Sequence, residues 1–137
     1  KRNDQAAFLR ILEKLGLSPE GRPLSCPYGS GWGGAMGPAQ FIPTTWELSA
    51  NRIAQALNIS YPNPWEPLHA FMASGIYLGD LGATGQTFTT ERNAACRYYS
   101  GSACDPYRKV PNDFYGAQVM AKAALIQETM IDPLEGL

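Results

Sequence analysis

The chain has 137 residues, of which 45% are hydrophobic and 17% charged, and its formal net charge is −1. This size and composition indicate one folded domain over residues 1–137 and exclude a disordered or low-complexity chain. The 11 Lys and Arg residues are scattered along the sequence, which argues against nucleic-acid binding. No membrane-spanning segment is expected, since the apolar stretches are much shorter than the about 20 residues that cross a bilayer.

The first predicted helix covers residues 4–15, where apolar side chains recur at helical spacing. Asn3 or Asp4 is expected to cap this helix, and Gly16 fits its C-terminal stop. Residues 16–34 then form a loop dense in Gly and Pro. A loop of this length in a compact domain is typical of a functional segment.

A second helix is predicted from a cap at Thr44 or Thr45 to Leu57. A proline-rich connection over residues 58–67 leads into a third helix over residues 67–81. The stripe expected to line one face of this third helix includes Leu68, Phe71, Met72 and Ile76.

The fourth predicted helix begins at Thr89 or Thr90 and ends near Ser100. The fifth covers residues 112–130, and Asp132-Pro133 is expected to end it. Its expected buried face consists of Val119, Ala123, Ile126 and Met130. No strand pattern is convincing, so the predicted class is all-α with at most a small hairpin.

The cysteines are Cys26, Cys96 and Cys104, an odd number that leaves one over if a disulfide forms. Cys96 and Cys104 flank Gly101, and a small loop closed by a disulfide is one interpretation of their spacing. Three reduced, buried thiols are the alternative, because free cysteine is often buried. A disulfide would indicate an exported protein.

The most informative stretch for chemistry is residues 33–46, Gly-Gly-Ala-Met-Gly-Pro-Ala-Gln-Phe-Ile-Pro-Thr-Thr-Trp. Its glycines are expected to let the backbone approach a ligand. Gln40 offers a donor and an acceptor that suit sugar hydroxyls and acetamido groups, while Met36 and Phe41 offer apolar surface for a pyranose face. A plain junction between a loop and a helix is the alternative. A phosphate-binding loop is excluded, because no Lys follows the glycines.

A second cluster, residues 94–101, contains Tyr98 and Tyr99. Paired tyrosines present rings and hydroxyls together, which suits a carbohydrate ligand. The alternative is one ring in the core and one exposed ring, a common arrangement for tyrosine. Tyr98 is the stronger candidate of the two for a site role.

Residues 33–46 resemble the signature of the lytic murein transglycosylases, particularly the membrane-bound transglycosylase B type. Further stretches resemble other motifs of that family in the same order: residues 63–70 (Asn-Pro-Trp-Glu-Pro-Leu-His-Ala), 73–82, 98–101 and 115–119. Together the matches cover about residues 31–125. The resemblance implies a helical, lysozyme-like fold.

The resemblance also implies an activity on the peptidoglycan glycan strand. Enzymes of this family cleave the β-1,4 bond between N-acetylmuramic acid and N-acetylglucosamine without water. One Glu protonates the leaving oxygen and then acts as base, and the C6 hydroxyl of the muramic sugar attacks C1 to give a 1,6-anhydro product. Such a step needs a carboxyl with a raised pKa, held in a partly apolar cleft.

By position, the resemblance places Met36 and Gln40 in contact with the glycan near the scissile bond and Phe41 in the lining of the cleft. Further candidate substrate-binding residues are Tyr98, Tyr99 and Gly101. Tyr98 is expected to hydrogen-bond near the catalytic carboxyl, and Gly101 to permit the turn beneath it. Tyr99 stands where the family has Asn, which departs from the family pattern. The assignment depends on residues 33–42 and the tyrosine pair facing one saccharide groove.

No residue matches the catalytic Glu of the family, which lies upstream of the glycine-rich motif and is followed by Ser or Thr. Glu13 precedes Lys and Glu20 precedes Gly, while Glu47 lies downstream and has no counterpart in the family pattern. We therefore expect the acid to precede Lys1 in a longer parent protein, which makes the chain N-terminally truncated and inactive alone.

No cofactor or metal is expected. His69 is the only histidine and has no neighbouring Cys or carboxylate cluster, so helix surface is its default interpretation. Residues 58–63 contain no acidic ligands, which argues against a calcium loop.

Three functional hypotheses follow from the sequence: a lytic transglycosylase whose acid lies upstream, a non-catalytic glycan-binding module, and a helical scaffold domain. The expected partners are peptidoglycan glycan strands and other domains of the parent protein. The expected location is the bacterial cell envelope or the extracellular space.

Overall fold

The computed structural model of the chain describes residues 3–27 and 32–136. Most of these residues are helical, and none of them forms a strand, which confirms the all-α class. The chain divides into two compact units, Lys1–Ile76 and Tyr77–Leu137, and each is described by itself. The prediction of one domain stays a prediction.

The helices occur in the predicted order, with one extra short turn between α3 and α4 and two extra short elements near the C-terminus of the chain. Their bounds are α1 Gln5–Leu15, α2 Pro43–Leu57, α3 Pro67–Asp80, a 3₁₀ turn Ala83–Gly85, α4 Phe88–Ser100, α5 Asp113–Ile126, a π-helical turn Gln127–Ile131 and α6 Asp132–Glu135. Within the described ranges, no helix has the length and apolar character needed to cross a bilayer.

The core of the N-terminal unit forms where α1 packs against α2. α1 buries Phe8, Ile11 and Leu12, and α2 buries Trp46 and Ile53. These positions recur three, four or seven residues apart, which places them on one face of each helix. Gly16 ends α1 in the left-handed conformation at φ 64°, as predicted.

The start of α2 differs from the prediction of a cap at Thr44 or Thr45. The helix begins at Pro43, because proline supplies a helical φ and needs no hydrogen-bond acceptor in the first turn. Asp4 supplies the missing cap from the segment before α1: its Oδ1 accepts hydrogen bonds from the Thr44 backbone N–H, at 3.1 Å, and from the Thr44 hydroxyl. The capping role expected at the start of α1 belongs to Asn3, whose Oδ1 accepts a hydrogen bond from Gln5 N–H.

The predicted bounds of α3 are confirmed to one residue, and the predicted apolar stripe is not the face that the helix buries most deeply. Leu68 and Phe71 are 64% and 66% exposed, whereas the buried positions are Ala70 and Ala73. Periodicity of the large side chains selects the wrong face here, because alanines pack closely and their small side chains carry little hydropathy signal.

In the C-terminal unit, α4 begins at Phe88, earlier than the predicted Thr89 or Thr90. Thr87 is the N-cap, and it forms a capping box in which its hydroxyl accepts from Thr90 N–H while the Thr90 hydroxyl accepts from Thr87 N–H. Thr90 is therefore a capping residue inside the first turn.

The predicted buried face of α5 is wrong. Ala123, Ile126 and Met130 are exposed, Val119 is half-buried, and Gly116 is the buried residue of this helix. The helical path also continues beyond Asp132-Pro133, where the sequence predicted a stop. Pro133 lies in the first turn of α6, and a proline is tolerated there because the N–H that it lacks would have no partner within the helix.

Candidate functional site

The predicted ligand-binding stretch folds as a tight bend, which we call the glycine bend (residues 33–42). Met36 N–H donates to Phe41 O at 2.9 Å, which closes the bend. Its first half lies beside an upstream segment, with Ser25 N–H donating to Ala35 O at 2.9 Å and Gly34 N–H donating to Ser25 O at 3.1 Å. Two isolated β-bridges mark these contacts, one between Leu24 and Met36 and one between Met36 and Phe41.

Gly33 and Gly37 of this bend lie close to protein backbone, and the expected approach of a ligand to the glycines stays a prediction. A Cβ on Gly37 would lie 1.8 Å from Pro64 O, and one on Gly33 would lie 2.5 Å from Cys26 O. Both glycines also have positive φ, at 61° and 80°. The bend is thereby pressed against the Asn-Pro-Trp connection, so two stretches that carry the family resemblance are in direct contact.

Gln40 lies at the tip of the bend in a strained backbone conformation, with φ 56°. A non-glycine residue in this region costs on the order of 1–3 kcal/mol, and such residues cluster at ligand sites. The side chain is exposed, and its Nε2 donates to Gly37 O at 2.8 Å. That bond fixes the carboxamide and leaves its other N–H and its carbonyl oxygen as groups of the kind that bind hydroxyls.

Met36 and Phe41 belong to the core of the bend. Their side chains are 1% and 4% exposed, and the Phe41 ring lies edge-to-face with Trp46 at 5.8 Å. This packing holds the bend in shape. Their direct contact with a glycan stays a prediction, and little of either side chain is open to a ligand in this conformation.

A cleft of about 370 Å³ opens beside Gln40, and we call it the Trp65 cleft; it is lined by Pro23, Leu24, Ser25, Gly37, Pro38, Gln40 and Trp65. The Trp65 indole is half-buried and fixed by Nε1–H, which donates to Pro23 O at 3.0 Å. Sequence reasoning missed Trp65 as a site residue. The available signal was an aromatic ring within a proline-rich connection that resembles a family motif.

The connection that carries Trp65 is held by side-chain hydrogen bonds. Asn63 Oδ1 accepts from Trp65 N–H at 3.0 Å, and Asn63 N–H donates to His69 Nδ1 at 2.9 Å. His69 therefore joins the connection to the first turn of α3 and is more than a surface residue. In the part of the chain that the structure describes, no group of His, Cys, Asp and Glu suits a metal ion.

In the C-terminal unit, the tyrosine turn (residues 98–101) comprises the last three residues of α4 and Gly101, which ends that helix at φ 75°. The Tyr98 ring is half-buried and lies edge-to-face with Tyr77 at 5.3 Å. Tyr99 is 50% exposed and stacks on Tyr115, with ring centroids 4.7 Å apart. The prediction that these tyrosines share a groove with Gln40 stays a prediction.

A disulfide between Cys96 and Cys104 closes the loop that follows the tyrosine turn, which confirms the predicted pairing. Gly116 makes room for it, because a Cβ there would lie 2.6 Å from Cys96 Sγ and 2.8 Å from Cys104 Sγ. Cys26 is a free, exposed cysteine. The alternative of three reduced thiols is therefore wrong.

Asn112 fixes the same loop and was not predicted as more than a helix start. Its side chain is fully buried, and Nδ2 lies 2.7 Å from Ser100 Oγ and 3.0 Å from both Ser102 O and Ala103 O. Its Oδ1 accepts from Asp105 N–H at 2.8 Å. The Asn112 carboxamide thus supplies hydrogen-bond partners to backbone groups in the loop between the tyrosine turn and α5.

The three carboxylates weighed as acids do not have the environment of a general acid. Glu47 accepts a two-pronged ion pair from Arg10, at 2.9 and 2.7 Å. The hydrogen bond from Arg10 lowers the pKa of Glu47, assisted by the positive charges of Arg10 and Lys14, whereas a general acid needs a raised pKa. Glu13 and Glu20 are exposed.

Comparison of the chain with family models, with curated proteins and with solved structures found no match.

Proposed function

We propose that this chain is the glycan-binding part of a peptidoglycan lytic transglycosylase, whose parent protein forms 1,6-anhydromuramic acid ends. The observation that carries the proposal is the strained, exposed Gln40 beside the Trp65 cleft, on a bend locked by the contact of Gly37 with Pro64. Both sides of this contact belong to stretches that resemble family motifs. A site that combines an aromatic ring with a fixed carboxamide suits a sugar.

The residues of this chain bind and orient the glycan in the proposed reaction. The Gln40 carboxamide hydrogen-bonds to a hydroxyl or an acetamido group, and its fixed rotamer lowers the entropy that is lost on binding. In the family that the chain resembles, proton transfer belongs to one Glu. The lowered pKa of Glu47 and the exposure of Glu13 and Glu20 support a different carboxylate, in the parent protein, as that group.

An exported location is part of the proposal. The Cys96–Cys104 disulfide supports it, because disulfides persist in oxidising compartments and are rare in the cytosol. Peptidoglycan lies in such a compartment, so the location and the substrate agree.

Retention on purified peptidoglycan sacculi tests the binding part of the proposal. We expect the 137-residue chain to cosediment with sacculi, and Gln40→Ala to reduce the bound fraction. Gln55→Ala is the matched control, because Gln55 is an exposed glutamine on α2 outside the Trp65 cleft. Equal retention of wild type and Gln40→Ala, or no retention of the wild type, would contradict the proposal.

A non-catalytic glycan-binding module is the second candidate, and it shares with the first the observation that Glu47 is held in an ion pair with Arg10. The enzymatic activity of the parent protein distinguishes the two candidates. A muropeptide digest by the parent that yields 1,6-anhydro ends supports the enzyme, whereas sacculus binding without such ends supports the module. The isolated chain is expected to release none.

A further inference from the structure

The second half of α5, the π-helical turn and α6 form a continuous helical segment, which we call the C-terminal arm (residues 121–136). Every residue of this arm is exposed. Helix α5 packs on α4 near its start, where Gly116 lies against Cys96, whereas the π-helical turn and α6 contact only the helical segments next to them among the described elements. A helix of this length is marginal in water unless an apolar face is covered.

The arm carries an apolar stripe that begins in α5. Its residues recur three or four positions apart, which is the pattern of a helix face that packs on another helix: Val119, Ala123, Ile126, Met130 and Leu134. Ile126 is 48% exposed, Met130 62% and Leu134 67%. Together with Leu125 and Ile131 beside them, they expose about 500 Å² of apolar surface, a large patch for a monomeric protein.

Charges are distributed unevenly along the arm. Lys122 lies at its amino end, whereas Glu128, Asp132 and Glu135 lie in its carboxyl half. Two arms in antiparallel orientation bring the cation of each copy toward the acidic half of the other, and a parallel orientation places acids beside acids. The arm is therefore complementary in charge to a second, antiparallel copy of itself. The same acids disfavour an anionic membrane surface.

The area of the stripe agrees with a weak self-association. Two stripes packed on each other bury about 1,000 Å² in total, which is near the lower limit for a specific interface. A two-fold axis brings the same patch of both copies together, so one self-complementary surface is sufficient. Ile126 lies in the middle of the stripe and therefore close to that axis.

We infer that the C-terminal arm is a dimer interface, in which two copies of this chain pack their apolar stripes together as an antiparallel helix pair. The second copy covers the face of α5 that the sequence pattern predicts to be buried and that the single chain leaves exposed. The inference is independent of the proposed function, because the arm contains no residue of the Trp65 cleft.

Sedimentation equilibrium of the chain tests the inference. All proteins carry Cys26→Ser, so that the exposed free thiol does not link copies covalently. We expect a reversible dimer with a Kd on the order of 10–100 µM, as suits an interface of this size. Hydrogen exchange gives a second readout, since the arm amides are expected to become more protected as the protein concentration rises. A chain that stays monomeric at about 500 µM would overturn the inference.

Variants locate the interface. Ile126→Glu places two like charges near the two-fold axis and is expected to weaken dimerisation at least about tenfold. Leu68→Glu is the matched control, because Leu68 is an exposed apolar residue on α3 outside the arm. Both positions are exposed, so the fold of the single chain is expected to persist. Equal dimerisation of Ile126→Glu and the control would place the interface elsewhere and overturn the inference.

The orientation of the two arms is tested at Lys122. Lys122→Glu is expected to weaken the antiparallel dimer at low salt, because acids then face acids, whereas Lys122→Arg keeps the affinity. Unchanged affinity of Lys122→Glu would contradict the antiparallel pair. Binding of a monomeric chain to phosphatidylcholine vesicles through the arm, or protection of the arm only within a longer parent protein, would assign the stripe to that occupant and overturn the dimer.

Discussion

The carboxylate of Asp4 lies at the amino end of α2, where it accepts hydrogen bonds from the backbone N–H and the hydroxyl of Thr44, 40 residues along the chain. Helix α2 thus obtains its cap from the segment that precedes α1. This link joins the two helices of the N-terminal core at the point where the glycine bend ends.

Removal of this cap is expected to destabilise the protein. Asp4→Ala leaves the Thr44 N–H without its acceptor, and loss of such a cap costs about 1–2 kcal/mol. Urea unfolding of wild type and variant measures the difference. Asn3→Ala is the control, with a smaller loss expected because the Asn3 bond to Gln5 N–H is exposed. Equal losses would show that Asp4 has no special role.

The glycine at position 116 is expected to be indispensable for packing against the disulfide. Gly116→Ala places a methyl group against both sulfur atoms, and overpacking of this kind costs about 1–3 kcal/mol. Gly75→Ala is the matched control in a helix, because no described atom lies within 4 Å of a Cβ there. The control is expected to gain about 0.5–1 kcal/mol from helix propensity. Thermal unfolding distinguishes opposite signs, and two changes of the same sign would contradict the packing.

Asn112 is expected to stabilise the disulfide loop through its buried carboxamide. Asn112→Ala removes the donors to Ser100 and its neighbours and strands the Asp105 N–H, at a cost of about 2–3 kcal/mol. Hydrogen exchange of the Asp105 amide measures the local effect, and urea unfolding measures the global one. Asn51→Ala, at an exposed site on α2, is expected to be nearly neutral. Retained protection at Asp105 would argue against this role.

The ion pair between Arg10 and Glu47 is expected to make stability depend on pH in the acid range. The hydrogen bond from Arg10 lowers the pKa of folded Glu47 below its ordinary value of 4.5. The stabilisation is therefore present above that ordinary pKa and is lost as pH falls through the lowered pKa of the folded state. Glu47→Gln is expected to be less stable than wild type at neutral pH, with a smaller difference in strong acid.

A double-mutant cycle tests the cause of this pH dependence. In an Arg10→Ala background, Glu47→Gln is expected to change stability less, and with less dependence on pH, than in the wild type. Urea midpoints at several pH values measure all four proteins. An undiminished pH dependence without Arg10 would assign the effect to other groups.

Much of the helical frame can be predicted from the sequence, because the residues that end the helices act locally. Gly16 ends α1, and Ser100-Gly101 ends α4, as predicted. The buried faces of α3 and α5 cannot be predicted from the sequence in the same way, because the residues that these helices bury are small. Ala70 and Gly116 have little hydropathy signal, and only the neighbouring segments determine that these sides are covered.

The candidate site divides in the same way. Gln40 is recognisable from the sequence, since a carboxamide in a glycine-rich stretch stands out. Trp65 and Asn112 are not, because an aromatic after proline is typical of a core anchor and an asparagine before a helix is typical of a cap. The role of Trp65 depends on its contact with Pro23, 42 residues away along the chain. The role of Asn112 depends on its contact with Ser100, 12 residues away. Local patterns carry no information on such contacts.

The approach of Gly37 to Pro64 has a consequence for protein engineering. No side chain fits between Gly37 and Pro64. The glycine bend and the proline-rich connection therefore pack directly on each other, and each segment supports the shape of the other. A graft of the bend alone onto another helical scaffold would lose its geometry. Transfer of the glycine bend in its native shape therefore requires both segments as a matched pair.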